Sequence, residues 1–327
     1  MIVKLAGILL AVLAVLLGSL LAGGTWIAPA HVLHALVHPG DPQAGVIVWQ
    51  LRLPRVAIGA VVGAALAMAG TLLQGMLRNP LVDPFLTGVS AGAALAIVAG
   101  SAVGVTVGFL PALGFAAGMA TAIAVAALSR RGAGIDATRL ILAGVSFSSL
   151  FAAIIALIIT GLQTASSAPA IVGWLAGSLA GRGWSDLAFA LPYALLGAAL
   201  AFLAVPALNA LRLGDVRAAS VGVNVPRAQW MVLCAASLLT ACAVTLSGTV
   251  GFVGLIVPHV ARRIVGSDTR FALVASAMLG AAALAGADAL CRSLFSPAEI
   301  PIGVLLAFVG VPAFLYLYVR DERAPAS

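Results

Sequence analysis

Long apolar stretches, separated by short polar connections, dominate this sequence. We count about ten of them, in the windows 4–24, 54–77, 85–104, 109–129, 138–161, 187–206, 229–247, 250–266, 271–291 and 302–319. A helix that crosses a bilayer needs roughly 20 mostly apolar residues. The pattern therefore predicts an all-α polytopic membrane protein with about ten transmembrane helices. The eighth window is short and contains Pro258, so we expect it to bend or to span only partly.

The composition excludes several other classes of protein. Hydrophobic residue types make up 63% of the 327 residues and charged types only 8%, whereas soluble domains are about 45–50% apolar and about 25% charged. The excess of basic over acidic residues is scattered singly, and nucleic-acid binding requires a clustered basic face. Residues 1–327 are therefore expected to form a single transmembrane domain in a lipid bilayer, without a nucleic-acid partner.

The placement of lysine and arginine predicts the orientation, because basic residues are enriched in cytoplasmic loops. With the N-terminus inside, thirteen basic residues lie at the inner side and four at the outer side. The outer four are Arg52, Arg55, Arg182 and Arg292. Both termini are therefore expected in the cytoplasm, which requires an even number of spans.

The sequence lacks the residues that ATP hydrolysis and ion-coupled transport usually require. Lys4 is the only lysine, and a nucleotide-binding P-loop needs a lysine after its glycine-rich turn. This chain is thus expected neither to hydrolyse ATP nor to bind a cofactor or metal. No acidic residue clearly falls at mid-membrane, where ion-coupled carriers usually place ionisable groups. A stand-alone ion-coupled carrier is therefore a weaker hypothesis, and an enzyme is weaker still.

Three histidines, His31, His34 and His38, have the spacing of one helical face at the outer side. Such a face could bind a metal or haem iron. A short interfacial helix with polar side chains explains the same spacing, and we favour it.

The outer arginines Arg52, Arg55 and Arg292 depart from the inner bias of the other basic residues. One interpretation is local neutralisation, for example of Arg292 by Asp288 one helical turn away. The other is a docking site for carboxylates of an external partner, because arginine stays charged and binds carboxylates through two nitrogens.

The inner connection 207–228 is the second unusual segment. Helix-forming residues are interrupted there by Gly214, Gly222 and Pro226, which predicts two short helices joined at a glycine. The segment is either a solvated connection or a docking element for a cytoplasmic motor, and composition alone favours neither.

Eight short runs, taken in order, resemble the permease subunit of type II ABC importers, the family that carries iron siderophores, haem and vitamin B12. The runs are Arg52-Leu53-Pro54-Arg55 and the segments 79–84, 86–93, 142–145, 213–222, 251–259, 301–303 and 310–314. Together they cover about residues 50–320. The resemblance implies ten helices per subunit and a homodimer in the bacterial inner membrane. It also implies two cytoplasmic ATPase subunits, which hold ATP and Mg²⁺, and one periplasmic binding protein.

The resemblance also implies roles for individual residues. The loop at about 207–228 resembles a coupling element, in which Leu213, Gly214, Ala218, Ala219 and Gly222 lie against the ATPase. Arg52, Arg55 and Arg292 match arginines that receive acidic residues of the binding protein. Asn79, Leu81 and Thr138 match a gate that closes the pathway at the cytoplasmic side.

The cargo is the least constrained part of this interpretation. Arg182 is a fourth outer arginine, and two copies facing a dimer axis would attract an anionic ligand. Local pairing of Arg182 with Asp186 is an equal alternative. We expect an anionic iron chelate, either haem or a ferric siderophore, with vitamin B12 as the alternative cargo.

Overall fold

The computed structural model describes residues 1–23, 27–41, 44–131, 134–161, 168–294 and 299–322. Fourteen helices follow one another in these ranges. They are α1 Ile2–Leu21, α2 Pro29–Val37, α3 Ala44–Val46, α4 Leu53–Leu77, α5 Val89–Ala102, α6 Leu110–Leu128, α7 Ala137–Gly161, α8 Ala168–Leu175, α9 Trp184–Leu211, α10 Asp215–Ser220, α11 Val225–Ser247, α12 Val253–Val265, α13 Thr269–Leu294 and α14 Ile302–Glu322. One π-helical turn, Ile47–Arg52, joins α3 to α4, and 3₁₀ turns occur at Pro84–Thr87 and Val107–Phe109. Strands β1 Arg130–Arg131 and β2 Gly134–Ile135 pair with each other antiparallel.

The helices confirm an all-α membrane protein with about ten spans. Within the described residues, seven helical stretches are long and apolar enough to cross a bilayer, namely α1, the π turn with α4, α6, α7, α9, α11 and α13. Each of the other three predicted windows also contains a helix. Helix α5 is shorter, the apolar part of α14 is Ile302–Tyr316, and α12 has only 13 residues. The expectation of a short eighth span agrees with this length.

The core is built around α4 and α11, whose residues are mostly buried. Helices α1 and α7 lie at the periphery and expose most of their apolar side chains. Lipid solvates such side chains as well as a protein core does, so the packing of spanning helices depends on close approach rather than on the hydrophobic effect.

Small residues provide that close approach where α4 crosses α13. A Cβ atom added to Gly63 would overlap the carbonyl oxygen of Gly280, and one added to Gly280 would overlap that of Gly63. Gly70 has the same relation to the carbonyl oxygen of Gly254 at the start of α12. The glycines therefore set how closely α12 and α13 approach α4.

Contacts between helix ends fall into an inner and an outer set, as alternating spans require. At the inner end, Lys4 Nζ donates to the carbonyl oxygen of Ile264, 2.8 Å away. At the outer end, Trp184 Nε1 donates to the carbonyl oxygen of Trp49, also 2.8 Å away. The start of α1 thus meets the end of α12, and the start of α9 meets the π-helical turn before α4, which agrees with spans that alternate in direction.

The inner connection 207–228 differs from the sequence prediction. Residues 207–211 continue α9 despite Pro206, because Leu208 and Leu211 are fully buried against the core. The prediction of two short helices in 207–228 is therefore wrong: α9 ends at Leu211, Gly214 follows with φ 106°, and α10 alone is short. The outer connection between α1 and α4 holds α2, α3 and the π-helical turn Ile47–Arg52.

Candidate functional site

The outer arginines Arg52, Arg55 and Arg292 converge on one cluster with Asp288 and Glu299. Arg52 ends the π turn, Arg55 follows in the first turn of α4, and Asp288 and Arg292 lie one turn apart near the end of α13. Arg55 is 2.9 Å from Asp288 Oδ1 and 2.9 Å from Glu299 Oε2. Arg292 Nε is 2.9 Å from Asp288 Oδ2. We call these five residues the outer ionic cluster.

Most of the outer ionic cluster is buried. Arg52 and Arg292 are 5% and 6% exposed, and Asp288 is 1% exposed. Arg52 Nη1 donates to the carbonyl oxygens of Leu20 and Leu21, at 2.7 and 2.9 Å, and so ties the start of α4 to the end of α1. Arg292 is therefore paired with Asp288, as one interpretation of the sequence predicts. Asp288 forms a second ion pair, with Arg55. Buried charges need such partners because their desolvation is costly.

The accessible part of the cluster is the contact between Arg55 and Glu299. Both guanidinium Nη atoms of Arg55 donate to Glu299, at 3.1 and 2.9 Å, and the Glu299 side chain is 42% exposed. The cluster holds three guanidinium groups and two carboxylates, so one positive charge is in excess. Its outer edge can therefore attract a carboxylate, with Arg55 as the group within reach.

Arg182 is paired locally. Its Nη1 lies 3.1 Å from Asp186 Oδ1 in the first turn of α9, and Asp186 Oδ2 accepts from the backbone of Gly183. Both side chains are about one-fifth exposed. This pairing agrees with local neutralisation and removes the net charge on which an attraction for anionic cargo would depend.

The predicted coupling residues surround α10 at the inner end. Leu213 is 61% exposed, Gly214 precedes the helix, and Ala219 and Gly222 are exposed, whereas Ala218 is fully buried. Ala218 therefore holds α10 against the core, while the others can reach a partner.

Two valines that the sequence reasoning missed belong to the same surface. Val216 is 85% exposed and Val221 is 68% exposed. A signal was available, since several apolar residues grouped in one polar connection are typical of an interaction surface. We call Leu213, Val216 and Val221 the α10 apolar surface.

The predicted gate residues Asn79 and Leu81 share the turn that follows α4. Asn79 Oδ1 accepts from the backbone of Leu81, at 2.9 Å, and Leu81 is 42% exposed. Asp83, which the sequence reasoning did not select, fixes this loop by accepting from the backbone of Phe85 at 2.9 Å. Burial raises the pKa of the Asp83 carboxyl to about 6, although bonds from the backbones of Phe85 and Phe252 oppose the rise.

Thr138 is exposed in the first turn of α7. It lines a cavity of about 260 Å³ together with Arg78, Asp215 and Gln229. The structure therefore brings Thr138 close to the end of α4. The other two predicted gate residues, Asn79 and Leu81, follow α4 directly in the chain.

The three histidines lie on α2 and just after it, all exposed. The rings of His34 and His38 stack with centroids 4.4 Å apart, and His34 Nδ1 is 3.7 Å from Asp41 Oδ2. In the described ranges, no group of three His, Cys, Asp or Glu side chains is arranged to hold a metal ion. These histidines thus lie on, and just after, the exposed face of a short helix.

Comparison with known proteins gives a family and a fold. A family model described as the FecCD transport family matches residues 9–320. The cobalamin import system permease protein of Halobacterium salinarum is 39% identical over 307 residues, which cover 93% of this chain and 82% of that protein. The hemin transport system permease protein of Yersinia pestis is 38% identical over 285 residues, or 84% of each chain.

A solved structure supports the same assignment. It is described as an inward-facing conformation of an ABC transporter assigned to the metal-chelate type. The TM-score is 0.87 at 34% identity, and the match covers 97% of this chain and 98% of the other. With nearly the whole length matched by sequence and by fold, the chain belongs to the FecCD transport family and is a membrane-spanning permease subunit of an ABC transporter rather than an enzyme.

Proposed function

We propose that this chain imports an iron chelate, haem or a ferric siderophore, from the periplasm to the cytoplasm across the bacterial inner membrane. Two copies enclose the pathway. Two cytoplasmic ATPase subunits supply the energy and hold ATP and Mg²⁺, and one periplasmic binding protein delivers the cargo. The observation that carries the coupled part of this proposal is the α10 apolar surface at the inner end.

The α10 apolar surface suits a rigid docking element. Its three side chains are 61–85% exposed, which water disfavours, while Ala218 anchors the helix from below. The helix is bounded by Gly214 and Gly222, both with positive φ, so its ends are fixed by sharp turns. A partner that covers these side chains would move α10, and α9 and α11 with it.

Substitution of Val216 with aspartate tests coupling. We expect ATP-driven uptake by the reconstituted complex to fall at least tenfold, because a buried, unpaired carboxylate in the interface is costly. The amount of folded permease should not change, since Val216 is 85% exposed. Val103→Asp, at the outer end of α5 and 80% exposed, is the matched control and should transport normally.

Two results would contradict the coupling proposal. One is normal ATP-driven uptake by the Val216→Asp complex. The other is ion-gradient-driven uptake by proteoliposomes that contain this chain alone, which would favour a stand-alone carrier.

The cargo proposal rests on the relatives, of which one is named for haem transport and another for cobalamin import at nearly the same identity. Because Arg182 is neutralised by Asp186, it gives no preference for an anionic ligand. Uptake of radiolabelled haem, a ferric siderophore and cobalamin by cells that depend on this permease decides among them. Uptake of cobalamin alone would replace the iron chelate with the alternative cargo.

We propose that the outer ionic cluster receives a carboxylate of the binding protein through Arg55. Glu299 occupies Arg55 in the isolated chain, so an incoming carboxylate competes with it. Arg52 and Arg292 are buried and act by holding the cluster in place.

Charge reversal at this edge tests docking. Arg55→Glu should weaken capture of the binding protein at least tenfold at low salt, and the loss should shrink as salt rises. Glu299→Gln should strengthen capture several-fold, because it removes the competing carboxylate. Equal affinities of both variants and the unaltered chain at low salt would exclude a docking role for Arg55.

A further inference from the structure

A second basic site lies at the opposite side of the molecule. A cavity of about 280 Å³ opens at the inner ends of α4, α9, α12 and α13. Arg78, Arg212 and Arg262 line it, and its described lining contains no aspartate or glutamate. We call it the inner arginine cavity.

Two of the three guanidinium groups have neutral partners. Arg262 Nη2 donates to Gln74 Oε1, 2.5 Å away, and Arg212 Nη1 donates to the carbonyl oxygen of Ser267. Arg212 also lies close enough to Arg262 for their charges to repel. The fold thus holds two like charges together without a carboxylate between them, an arrangement that an anion would stabilise.

Buried Gln74 orients Arg262. Its amide nitrogen donates to the carbonyl oxygens of Val82, Gly254 and Leu255, at 3.1, 3.1 and 3.2 Å. These bonds turn Gln74 Oε1 towards the guanidinium group, so Arg262 is held at the cavity by a fixed acceptor.

Arg78 is placed by a strained backbone. It ends α4 in the left-handed region, with φ 51°, where glycine is the usual residue. Its Nη2 lies 3.3 Å from Asp215 Oδ1, and both side chains are nearly half exposed. Backbone strain of this kind is found mainly at catalytic and ligand-binding sites.

We propose that the inner arginine cavity binds a phosphate-bearing anion. Asp215 offsets the charge of Arg78, which leaves the two positive charges of Arg212 and Arg262. A phosphate group carries about two negative charges and three or more acceptor oxygens, and arginine binds such oxygens in pairs. A carboxylate carries one charge and two acceptor oxygens, so it would neutralise only one of these two guanidinium groups. Asn79, whose Oδ1 accepts from the backbone of Leu81, also lines this cavity.

The anion can come from two sources, a soluble phosphate of the cytoplasm or the headgroup of an anionic lipid. The inner ends of the spans are where both are found under the predicted orientation. The inference does not depend on the cargo or on the α10 apolar surface, because it concerns binding by the permease itself.

The test measures thermal unfolding of the full chain, purified as the assembly it forms in mild detergent. One arm adds inorganic phosphate at constant ionic strength, balanced with chloride. The other compares nanodiscs of phosphatidylcholine with nanodiscs that also contain phosphatidic acid, whose phosphomonoester headgroup carries up to two negative charges. We expect saturable stabilisation in at least one arm, and loss of at least about tenfold in apparent affinity in Arg262→Gln.

Two variants keep the result interpretable. Arg212→Gln should show the same loss and stands in if Arg262→Gln fails to fold. Arg270→Gln is the matched control, because Arg270 is exposed at the same end of α13 and does not line the cavity. Stabilisation by phosphate alone identifies a soluble ligand, and stabilisation by phosphatidic acid alone identifies a lipid. No stabilisation in either arm, or equal stabilisation of Arg262→Gln and the unaltered chain, would overturn the proposal.

Discussion

Replacement of Asp288 with asparagine is expected to lower the free energy of unfolding by about 3–5 kcal/mol. Asp288 is 1% exposed and forms ion pairs with both Arg55 and Arg292. Without its charge, Arg292 remains 6% exposed with no ion-pair partner among the described residues, and a buried charge without its partner is strongly destabilising. Denaturant unfolding of the purified permease in detergent measures the change.

The control for Asp288→Asn is Glu299→Gln in the same cluster. Among the described residues, Glu299 forms its ion pair with Arg55 and is 42% exposed, so water screens the pair and little stability should be lost. An unchanged free energy of unfolding in Asp288→Asn would show that the ionic cluster does not contribute to folding.

Substitution of Gly63 with alanine is expected to destabilise the permease by about 3 kcal/mol, the upper part of the usual range for overpacking. The added Cβ would overlap the carbonyl oxygen of Gly280, and a backbone atom cannot rotate away as a side chain can. Helices α4 and α13 would have to separate along an interface that both share over much of their length. Denaturant unfolding and the yield of monodisperse protein measure the effect.

The matched control is Gly7→Ala in α1, where no atom lies within 4 Å of the added Cβ. Intrinsic helix propensity favours alanine over glycine by about 1 kcal/mol, so this variant should be neutral or slightly stabilised. The two substitutions are therefore expected to have opposite signs. A Gly63→Ala variant as stable as Gly7→Ala would mean that α4 and α13 do not cross at these glycines.

The outer arginines show how far sequence reasoning reached into the candidate site. Their departure from the inner bias marked Arg52, Arg55 and Arg292, and the spacing of Asp288 and Arg292 indicated a local pair. The contact of Arg55 with Asp288 spans 233 residues, and no sequence pattern available from one chain reports it. Burial of Arg52 against α1 likewise depends on how α1 packs beside α4.

At the inner side, too, the sequence predicted some features, and the structure alone revealed others. Glycines 214 and 222 marked the ends of a short element correctly, because positive φ is a local requirement. The first half of the segment was misassigned, since residues 207–211 continue α9, where Leu208 and Leu211 are buried against the core. The inner arginine cavity was not foreseen at all, because its three arginines come from separate helix ends.

The sequence by itself determined that the chain is an all-α membrane protein with about ten spans, that it lacks a P-loop lysine, and which transporter family it resembles. These properties depend on composition and on patterns within about 20 neighbouring residues, so they can be predicted without knowing how the helices pack. Only the tertiary structure decided which charges are paired, which valines are exposed on α10 and where glycines allow contact. Those outcomes depend on the rotation and depth of each helix against its neighbours, which are set by contacts between residues far apart in the chain.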